Sequence, residues 1–486
     1  MSATLLTLTL ILFRGINYQF CFFIDDTPYT LEVNQDNFDN SYQFGEHTSD
    51  NNIWVFNYPQ NNILRKITHD GNIVETIYLQ NFFSNHVYTT QNGSLLSISN
   101  PYRELWYFNK VQRRWSQTGE VLGWLGTWSV DEKDGVIMIA EYCRDTDPYA
   151  RVFRSKNGGA SWDIVFYQRA RGSESPEVRH FHTIQVDPYT GHWYLSSGDR
   201  RQESKIFKSK DDGDTWLDVT DYNLDPSLPP ALKTQSLFRL TTFWFTEDYI
   251  CWATDDRINN LGAHLVISPR TEPLDVIVIG RTSYNEVRSA IEYPNIGWLL
   301  ITENRTGYAG IELTFVTKDL YIIPLGILEG ITDNFSASIA SKRADWRDNE
   351  KSWVGYSLAR GVIPRIMRYK LKQNLKLQVT SNIHLEDEII IIPKKDCGYT
   401  EGDIVNIQVK EKPGYIFTGW EGDFCTSRKN LTVEITKDIR LKAHFYPIDM
   451  EPDYKVPATF SLTLFLLTGL LASLIFIYVK TRYTVQ

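Results

Sequence analysis

Hydrophobic and polar residues alternate in short segments along most of this 486-residue chain, and turn residues separate the segments. Between residues 181 and 220 four such segments follow one another: FHTIQVD, HWYLSSGD, KIFKSK and WLDVT. Alternation with a period of two is typical of β-strands, and the intervening Gly and Asp residues are typical of tight turns. The pattern predicts a group of four antiparallel strands.

Similar four-strand cycles recur on both sides of this stretch. VIMIAEY, RVFRSK and WDIVFYQ belong to one cycle, and weaker cycles cover residues 53–79, 94–121, 238–279, 287–325 and 336–371. A repeat of about 40–50 residues with four strands each is typical of a β-propeller. We therefore predict an all-β fold in which residues 29–374 form six or seven four-stranded blades, with seven preferred. A jelly-roll sandwich is the alternative.

Apolar segments occur at both ends of the chain. Residues 458–479 contain 22 residues without a charge, which is long enough for one transmembrane helix. Lys480 and Arg482 follow this segment and acidic residues precede it, so the positive-inside rule places the tail, 480–486, in the cytoplasm. Residues 448–457 are a linker, and residues 1–28 are interpreted as a signal peptide or leader. These features predict a single-pass cell-membrane protein whose remaining domains are extracellular.

The composition excludes several classes of function. A net charge of −9 argues against nucleic acid as a partner, because a nucleic-acid-binding protein needs a basic face. The chain has no phosphate-binding loop and no dinucleotide fingerprint, and its nine His and five Cys do not follow metal-site spacing. The sequence therefore predicts no cofactor and no metal.

An eight-residue phrase occurs twice, as SKNGGASW at residues 155–162 and as SKDDGDTW at residues 209–216. Its Asp or Asn can accept hydrogen bonds within a turn, its Gly allows a positive φ, and its Trp begins the next strand. The phrases resemble the Asp box, or bacterial neuraminidase repeat, which joins the third and fourth strands of propeller blades in sialidases. The first copy has Asn in place of Asp. The resemblance implies a structural role for Ser155, Asn157, Gly159, Trp162, Ser209, Asp211, Gly213 and Trp216.

Residues 375–447 have a different pattern, which predicts a small β domain. YTEGDIVNIQVKEKPGYIFTGWEGDF and NLTVEITKDIRLKAHF resemble the small β-repeat of bacterial surface proteins, the internalin-type B repeat. In that family the unit is a stalk or spacer. The resemblance implies a miniature core formed by Tyr415, Phe417, Trp420 and Phe445.

The cysteines fall into two groups. Cys397 and Cys425 lie where related repeats carry paired cysteines, so the resemblance implies a disulfide between them. Two reduced cysteines are the alternative. Cys143 and Cys251 lie on strand-like segments and are predicted to be buried thiols.

Candidate site residues lie where the predicted second strands end. In a propeller this edge is opposite the Asp-box turn, so the resemblance places ligands here. AEYCR, SGDRR, TDDR and TENR each have an acidic residue followed by Arg, while His180 and His182 open one first strand and Arg239 and Arg288 open the next two. The ligand-binding candidates are Arg144, His180, His182, Asp199, Arg200, Arg201, Asp255, Arg257, Arg288, Glu303 and Arg305.

Two interpretations of these residues stay open. Guanidinium and carboxylate groups around one rim suit an acidic sugar or another polar ligand. Alternatively, Arg–carboxylate pairs join neighbouring blades and have no ligand.

The resemblance to sialidases does not extend to their chemistry. Their early Phe/Tyr-Arg-Ile-Pro phrase has only FRLT, beginning at Phe238, as a counterpart, and neither the sialidase acid nor its Tyr–Glu pair is matched. Catalytic residues are therefore unknown. We predict a membrane-anchored surface or envelope protein whose propeller binds an extracellular glycan or protein. The alternatives are a sialidase-like glycoside hydrolase or lyase acting on surface polysaccharide, and a structural envelope component.

Overall fold

Two compact units make up the chain in a computed structural model, one ending at Asn374 and the other beginning at Leu375. This division falls where the sequence pattern changes. The structure describes residues 17–35, 42–47, 52–57, 62–68, 71–79, 82–84, 87–99, 103–121, 129–226, 228–255, 262–283, 286–302, 310–328, 346–349, 352–359, 365–410 and 412–448.

Unit 1 contains six four-stranded antiparallel sheets within these residues, each formed by four consecutive strands. Sheet I consists of β3 (Tyr42–His47), β4 (Ile53–Asn57), β5 (Ile63–Ile67) and β6 (Ile73–Tyr78). Sheet II consists of β7 (Val87–Thr89), β8 (Leu95–Ile98), β9 (Glu104–Asn109) and β10 (Arg114–Glu120). Sheet III consists of β11 (Val130–Lys133), β12 (Val136–Ala140), β13 (Tyr149–Ser155) and β14 (Asp163–Arg169).

The next three sheets repeat this plan. Sheet IV consists of β15 (His180–Val186), β16 (Trp193–Gly198), β17 (Ile206–Ser209) and β18 (Leu217–Asp218). Sheet V consists of β19 (Leu240–Phe245), β20 (Tyr249–Thr254), β21 (His264–Pro269) and β22 (Ile277–Arg281). Sheet VI consists of β23 (Val287–Tyr293), β24 (Gly297–Thr302), β25 (Ile311–Thr317) and β26 (Ile322–Leu328).

Sheet VII combines the two ends of unit 1. Its strands are β1 (Asn17–Ile24), β2 (Thr27–Gln35), β27 (Trp346–Asn349), β28 (Ser352–Ala359) and β29 (Arg365–Gln373), in the spatial order β1-β2-β29-β28-β27. β2 pairs antiparallel with β29, so that Tyr29 lies opposite Gln373 and Gln35 opposite Met367. The predicted leader, 1–28, is therefore wrong at its boundary, because residues 17–28 form β1, a turn and the start of β2; residues 1–16 lie outside the described residues.

Neighbouring sheets contact one another in chain order. β3 contacts β7, β11 contacts β15, β15 contacts β19, and β19 contacts β23. The backbone amide of Gln91 in sheet II donates a hydrogen bond, 2.6 Å long, to Glu132 Oε2 in sheet III. Sheet VII contacts both the last and the first of the other sheets, through β1 with β26 and through β29 with β3. The sheets therefore close into a ring, which is the arrangement of a β-propeller.

The core lies between sheets rather than inside one layer. Sheets IV and V share a cluster that includes Tyr194, Phe243 and Trp252, and other clusters join sheets I and II, II and III, III and IV, V and VI, and VI and VII. The first two strands of sheet IV are buried on both faces, whereas the described residues of its fourth strand are exposed. In sheet IV the inner strands are therefore shielded from solvent by neighbouring sheets, and the outermost strand faces solvent.

Unit 2 contains two three-stranded sheets within the described residues. One has β30 (Leu377–Ser381), β35 (Ile439–Pro447) and β33 (Tyr415–Gly422), and the other has β31 (Ile389–Ile392), β32 (Asp403–Val409) and β34 (Asn430–Ile435). Trp420 and Phe445 are buried between them, and Tyr415 and Phe417 pack partly buried against this core. The prediction of these four aromatic core residues is confirmed.

The predicted disulfide between Cys397 and Cys425 is wrong. Cys425 is an exposed free thiol, while Cys397 is disulfide-bonded and therefore has another partner. Cys397 lies in the loop between β31 and β32, and Cys425 lies in the loop between β33 and β34. Cys143 and Cys251 are buried free thiols, as predicted, and burial raises the pKa of Cys143 to about 12.

Several predicted segments lie outside the described residues, among them most of the linker 448–457, the apolar segment 458–479 and the tail 480–486. Within the ranges that are described, no helix has the length and hydropathy needed to cross a bilayer.

The two repeated phrases form equivalent turns between the third and fourth strands of sheets III and IV. In sheet IV, Ser209 Oγ accepts a hydrogen bond from the Gly213 amide, 2.8 Å, and Asp211 Oδ1 accepts one from the Thr215 amide, 2.8 Å. In sheet III the Gly159 amide donates to Ser155 Oγ over 2.8 Å, and the Ser161 amide donates to Asn157 Oδ1 over 2.9 Å. Asn replaces Asp without loss of this bond, because both side chains offer the same acceptor oxygen.

The glycines of these turns lie against the preceding sheet. Gly159 has a φ of +98°, and a Cβ atom there would lie 2.2 Å from Leu96 Cδ2 on β8. Gly213 has a φ of +88°, and its Cβ would lie 2.7 Å from Met138 Cε on β12. Each turn therefore joins two sheets as well as two strands, which explains why the phrase requires glycine at this position.

Gly159→Ala should destabilise unit 1 more than Gly135→Ala. Both residues have a positive φ, so each substitution should cost about 1–2 kcal/mol from backbone strain. Only Gly159→Ala adds a clash with a buried leucine, and overpacking of this kind costs about 1–3 kcal/mol more. Gly135 is the matched control, because a Cβ atom there would have no other atom within 4 Å. Urea unfolding of the full chain, followed by tryptophan fluorescence, measures the difference; equal midpoints for the two variants would refute the role of the turn between sheets.

Candidate functional site

The candidate site lies at the edge of unit 1 where first strands begin and second strands end. In sheet IV this edge is marked by the pairing of His180 with Gly198, and in sheet V by the pairing of Leu240 with Thr254. At the other end of sheet IV, Trp193 pairs with Ser209, which begins the repeated turn. The turn and the candidate residues therefore lie at opposite edges, as the sequence predicts.

Two buried histidines form the centre of the site. His180 and His182 are two residues apart on β15, so their side chains project from the same face of the strand. Each is 1% exposed, and their Nε2 atoms are 3.1 Å apart. Burial lowers the pKa of His180 to about 4, so this imidazole is neutral at physiological pH.

The tautomer of His182 follows from its second nitrogen. His182 Nδ1 lies 2.9 Å from the carbonyl oxygen of Leu240, and a carbonyl oxygen can only accept a hydrogen bond. The Nδ1 atom therefore carries a hydrogen. In neutral His182 the lone pair is then on Nε2, the atom that faces His180 and Asp199.

Asp199, directly after β16, completes the cluster. Its Oδ1 lies 3.1 Å from His182 Nε2, and its Oδ2 lies 3.5 Å from His180 Nε2. Arg179 Nη1 donates a hydrogen bond to Oδ2, and Arg239 Nη2 lies 3.4 Å from Oδ1. Burial opposes ionisation of Asp199, but His180 and His182 outweigh it and hold the pKa of this carboxyl well below its usual range.

Tyr142 covers one side of the histidines. Its ring stacks on His180 with a centroid separation of 3.6 Å and an interplanar angle of 24°. Burial, and then the charges of Asp199 and Asp255, raise the pKa of Tyr142 to about 12. The phenol is therefore neutral. Its ring is an apolar surface against His180, and its hydroxyl group is the polar end of the side chain.

The accessible part of the cluster is an ion pair between Arg179 and Asp145. Arg179 Nε donates to Asp145 Oδ1 over 2.8 Å, and Nη2 donates to Oδ2 over 3.2 Å. The Asp145 side chain is 52% exposed and that of Arg179 is 33% exposed. Burial favours the neutral form of Arg179, but its bonds to Asp145 and the charge of Asp199 outweigh burial and raise its pKa, so it stays cationic.

A second group of charges joins three neighbouring sheets. Asp255 follows β20 of sheet V and is 2% exposed. Arg288 Nη1, from sheet VI, lies 2.6 Å from Asp255 Oδ1, and Arg239 Nη2 lies 3.4 Å from Oδ2. Arg239, directly before β19 of sheet V, also reaches back to Asp199 of sheet IV. These pairs agree with the interpretation that Arg–carboxylate contacts join neighbouring blades.

The structure brings together part of the predicted set, namely His180, His182, Asp199, Asp255 and Arg288. Arg144 and Arg200 are exposed. Four predicted residues cannot be placed: the side chain of Arg201, and the residues Arg257, Glu303 and Arg305, lie outside what the structure describes.

Sequence reasoning missed Arg179, Tyr142 and Asp145. Arg179 directly precedes the His-x-His pair, so its position next to the cluster was a usable signal. Asp145 lies in the loop after β12, and its approach to Arg179 depends on the packing of sheet III against sheet IV. Glu141, the acidic residue of AEYCR, instead forms a bidentate pair with Arg151 inside sheet III, with both N–O distances 2.9 Å.

Comparison with known proteins finds no matching family model and no matching curated protein. Among solved structures, virginiamycin B lyase from Staphylococcus aureus is 14% identical, covers 71% of this chain and 99% of its own, and has a TM-score of 0.45. YCF48 from Cyanidioschyzon merolae is 10% identical, with coverage of 69% and 98% and a TM-score of 0.44. BamB from Moraxella catarrhalis is 8% identical, with coverage of 73% and 96% and a TM-score of 0.39. These three are β-propeller proteins, and the chain is similar to them in fold class alone.

The pair between Arg288 and Asp255 should stabilise unit 1 far more than an exposed pair does. Asp255→Ala leaves Arg288 and Arg239 without this buried partner, and breaking a buried pair costs about 3–5 kcal/mol. A double-mutant cycle on Arg288 and Asp255 should give a larger coupling energy than the same cycle on Arg169 and Glu177. That control pair has side chains 50% and 38% exposed, and exposed pairs contribute about 0.2–1 kcal/mol. Urea unfolding measures both cycles, and equal coupling energies would contradict a structural role for Asp255.

Proposed function

We propose that unit 1 is a seven-bladed propeller that binds an extracellular ligand carrying an acidic group. In this proposal the two repeated turns are Asp boxes, and the edge on which they lie has a structural role. The ligand then approaches the edge that carries Arg179, His180, His182 and Asp199.

One observation supports binding at this edge above all. Arg239 and Arg288 cross between sheets, so joining the blades explains their ion pairs. His180, His182 and Asp199 belong to one hairpin, whose strands are already joined by backbone hydrogen bonds. Asp199 and His182 also contact Arg239 and Leu240 of sheet V, but the contact between the two Nε2 atoms lies within the hairpin. Burying two imidazoles side by side costs desolvation energy, and their mutual contact joins no other sheet. A functional role accounts for this cost.

The chemistry of the ligand follows from Arg179. Its guanidinium is cationic and already oriented, and it is held by Asp145, which is mostly exposed. Exposed ion pairs contribute little to stability, so an incoming carboxylate or sulfate can replace Asp145 at small cost. A guanidinium offers the same two-pronged geometry to either acceptor. An acidic glycan fits this exchange, and an acidic protein segment is the other outcome of the test.

The protonation state of the site favours binding over glycoside hydrolysis. A glycosidase needs one carboxyl group that stays protonated, which requires a raised pKa. The pKa values of Asp145 and Asp199 are both lowered, by the hydrogen bonds from Arg179 in Asp145 and, against burial, by the two histidines in Asp199. The lowered pKa favours the ionised form of both carboxyl groups, which suits binding better than proton donation.

Display at the cell surface completes the proposal. The uncharged segment 458–479 would anchor the chain, residues 480–486 would lie in the cytoplasm, and unit 2 would serve as a stalk that resembles a bacterial surface repeat. An extracellular position agrees with a ligand on other cells or on the surrounding matrix.

Arg179→Ala should weaken the binding of acidic glycans by about 10–100-fold, because a hydrogen bond to a charged group contributes about 1.5–3 kcal/mol. The test is an array of acidic and neutral glycans and acidic peptides, probed with the full chain in detergent. Asp145→Ala should have the opposite effect and strengthen binding, since it removes the carboxylate that the ligand displaces.

Arg169→Ala is the matched control. Arg169 is also an exposed arginine paired with a carboxylate, Glu177, and the proposal gives it no ligand. Three outcomes would each contradict the proposed site. The full chain could bind neutral glycans alone, Arg179→Ala and Arg169→Ala could lose equal affinity for acidic glycans, or Asp145→Ala could bind them more weakly.

Protease added to intact cells should remove the units preceding residue 456 and leave a small membrane fragment that contains residues 458–479. The uncharged segment and its flanking charges give this expectation. An epitope tag placed after Gln486 follows the fragment, and permeabilised cells provide the control. Full protection of unit 1 in intact cells would exclude the proposed orientation.

A further inference from the structure

We propose that His180, His182 and Asp199 bind a divalent first-row transition-metal ion, with Zn²⁺ as the expected ion. The sequence predicts no metal, and the proposal replaces that expectation. Their ligand atoms lie within 4.8 Å of one another.

The spacing matches one face of a tetrahedral site. The two Nε2 atoms are 3.1 Å apart, and the Asp199 oxygens lie 3.1 Å from His182 Nε2 and 3.5 Å from His180 Nε2. Zn–N and Zn–O bonds of about 2.0–2.2 Å at tetrahedral angles place neighbouring ligand atoms about 3.3–3.5 Å apart. The contact of His182 is to Oδ1 and that of His180 is to Oδ2, so an ion can bind both nitrogens and an oxygen of Asp199 after the carboxylate rotates.

The orientation of His182 gives an independent reason. Its Nδ1 lies 2.9 Å from the Leu240 carbonyl oxygen, so Nε2, which lies 3.1 Å from Asp199 Oδ1, is the nitrogen that faces the other proposed ligands. Ligand histidines in metal sites commonly donate their other nitrogen to a backbone carbonyl, which fixes the ring orientation. Leu240 supplies that carbonyl here.

The ligand atoms select the class of metal. Two imidazole nitrogens and one carboxylate suit zinc, iron or copper, whereas calcium and magnesium prefer oxygen ligands. The surrounding charges point the same way. The three carboxylates of the cluster, Asp145, Asp199 and Asp255, are balanced by three arginines, Arg179, Arg239 and Arg288. The cluster therefore has no excess negative charge to attract a cation. Its affinity for a metal ion must come from the nitrogen ligands.

Metal binding requires Arg179 to release Asp199. Arg179 would keep its two bonds to Asp145, so its charge would stay paired after the release. Arg239 would likewise keep Asp255. The cluster can thus accept an ion without leaving a buried arginine uncompensated, and this removes the main electrostatic objection to a cation at this place.

Three protein ligands leave one tetrahedral position for water or another group. An acidic group of the ligand could bind there next to Arg179; this last step depends on the proposed function, while the metal site itself does not.

Titration with Co²⁺ tests the site, because tetrahedral Co²⁺ absorbs visible light and reports on its own ligands. The full chain in detergent, freed of metal by a chelator, should bind one equivalent of Co²⁺, and Zn²⁺ should displace it. Loss of a group that hydrogen-bonds to a metal ligand costs about 10–100-fold in affinity. His180→Ala and His182→Ala remove ligands themselves, so each should cost at least that much. His192→Ala is the matched control, since His192 lies in the turn between β15 and β16, away from the cluster, and should bind normally.

His180→Cys separates ligation from folding. A thiolate can replace the imidazole, so this variant should bind Co²⁺ and add a sulfur-to-metal charge-transfer band, which a merely structural histidine would not produce. Circular dichroism of the metal-free proteins checks that each variant is folded. The proposal is overturned if the wild-type chain binds no more Co²⁺ or Zn²⁺ than His182→Ala, or if His192→Ala loses as much affinity. Loss of metal binding in a wild-type chain that still binds acidic glycans would overturn this inference alone.

Discussion

The pairing of β2 with β29 is the constraint on which unit 1 depends. The first two strands of sheets IV, V and VI are buried on both faces almost throughout, so each of these sheets needs a neighbour on either side. In an open row of sheets, the first and last would each expose one apolar face. Sheet VII supplies both missing neighbours, because β1 contacts β26 and β29 contacts β3. Leu31 and Val33 on β2 are fully buried in the cluster shared with sheet VI, so the end of the ring is sealed by residues from the start of the chain.

Closure of the ring also determines the chemistry at its edge. First strands of neighbouring sheets lie next to one another. The polar residues at the start of these strands therefore come close together, and several of them are buried. A charge in such surroundings must find a partner, and Asp255 finds two arginines from different sheets. The same crowding brings His180, His182 and Asp199 within bonding distance of one another. Contacts across sheet boundaries therefore explain the pairs of Asp255, whereas the contact between the two histidines lies inside one hairpin.

The repeated turn shows how the opposite edge is built. Its Ser and Asp or Asn satisfy amide hydrogens of the turn, and its Gly allows the backbone to approach the preceding sheet. The motif therefore packs one sheet against the preceding one. It occurs twice because sheets II and III and sheets III and IV make the same contact. Because both edges of a sheet are fixed by contacts with its neighbours, the cluster at the other edge is held by a rigid support.

The sequence by itself determined the strands, their four-strand period, the change of domain after residue 374 and the aromatic core of unit 2, because these depend on local alternation and turn residues. The resemblance of the repeated phrase to the Asp box also implied the edge on which the candidate residues lie. Only the tertiary structure decided that Asp145 meets Arg179, that Asp199 meets two histidines, that residues 17–28 belong to the fold, and that Cys397 and Cys425 are not partners. Each of these depends on which strands become neighbours, and residues far apart in the chain carry no local signal of their later contact.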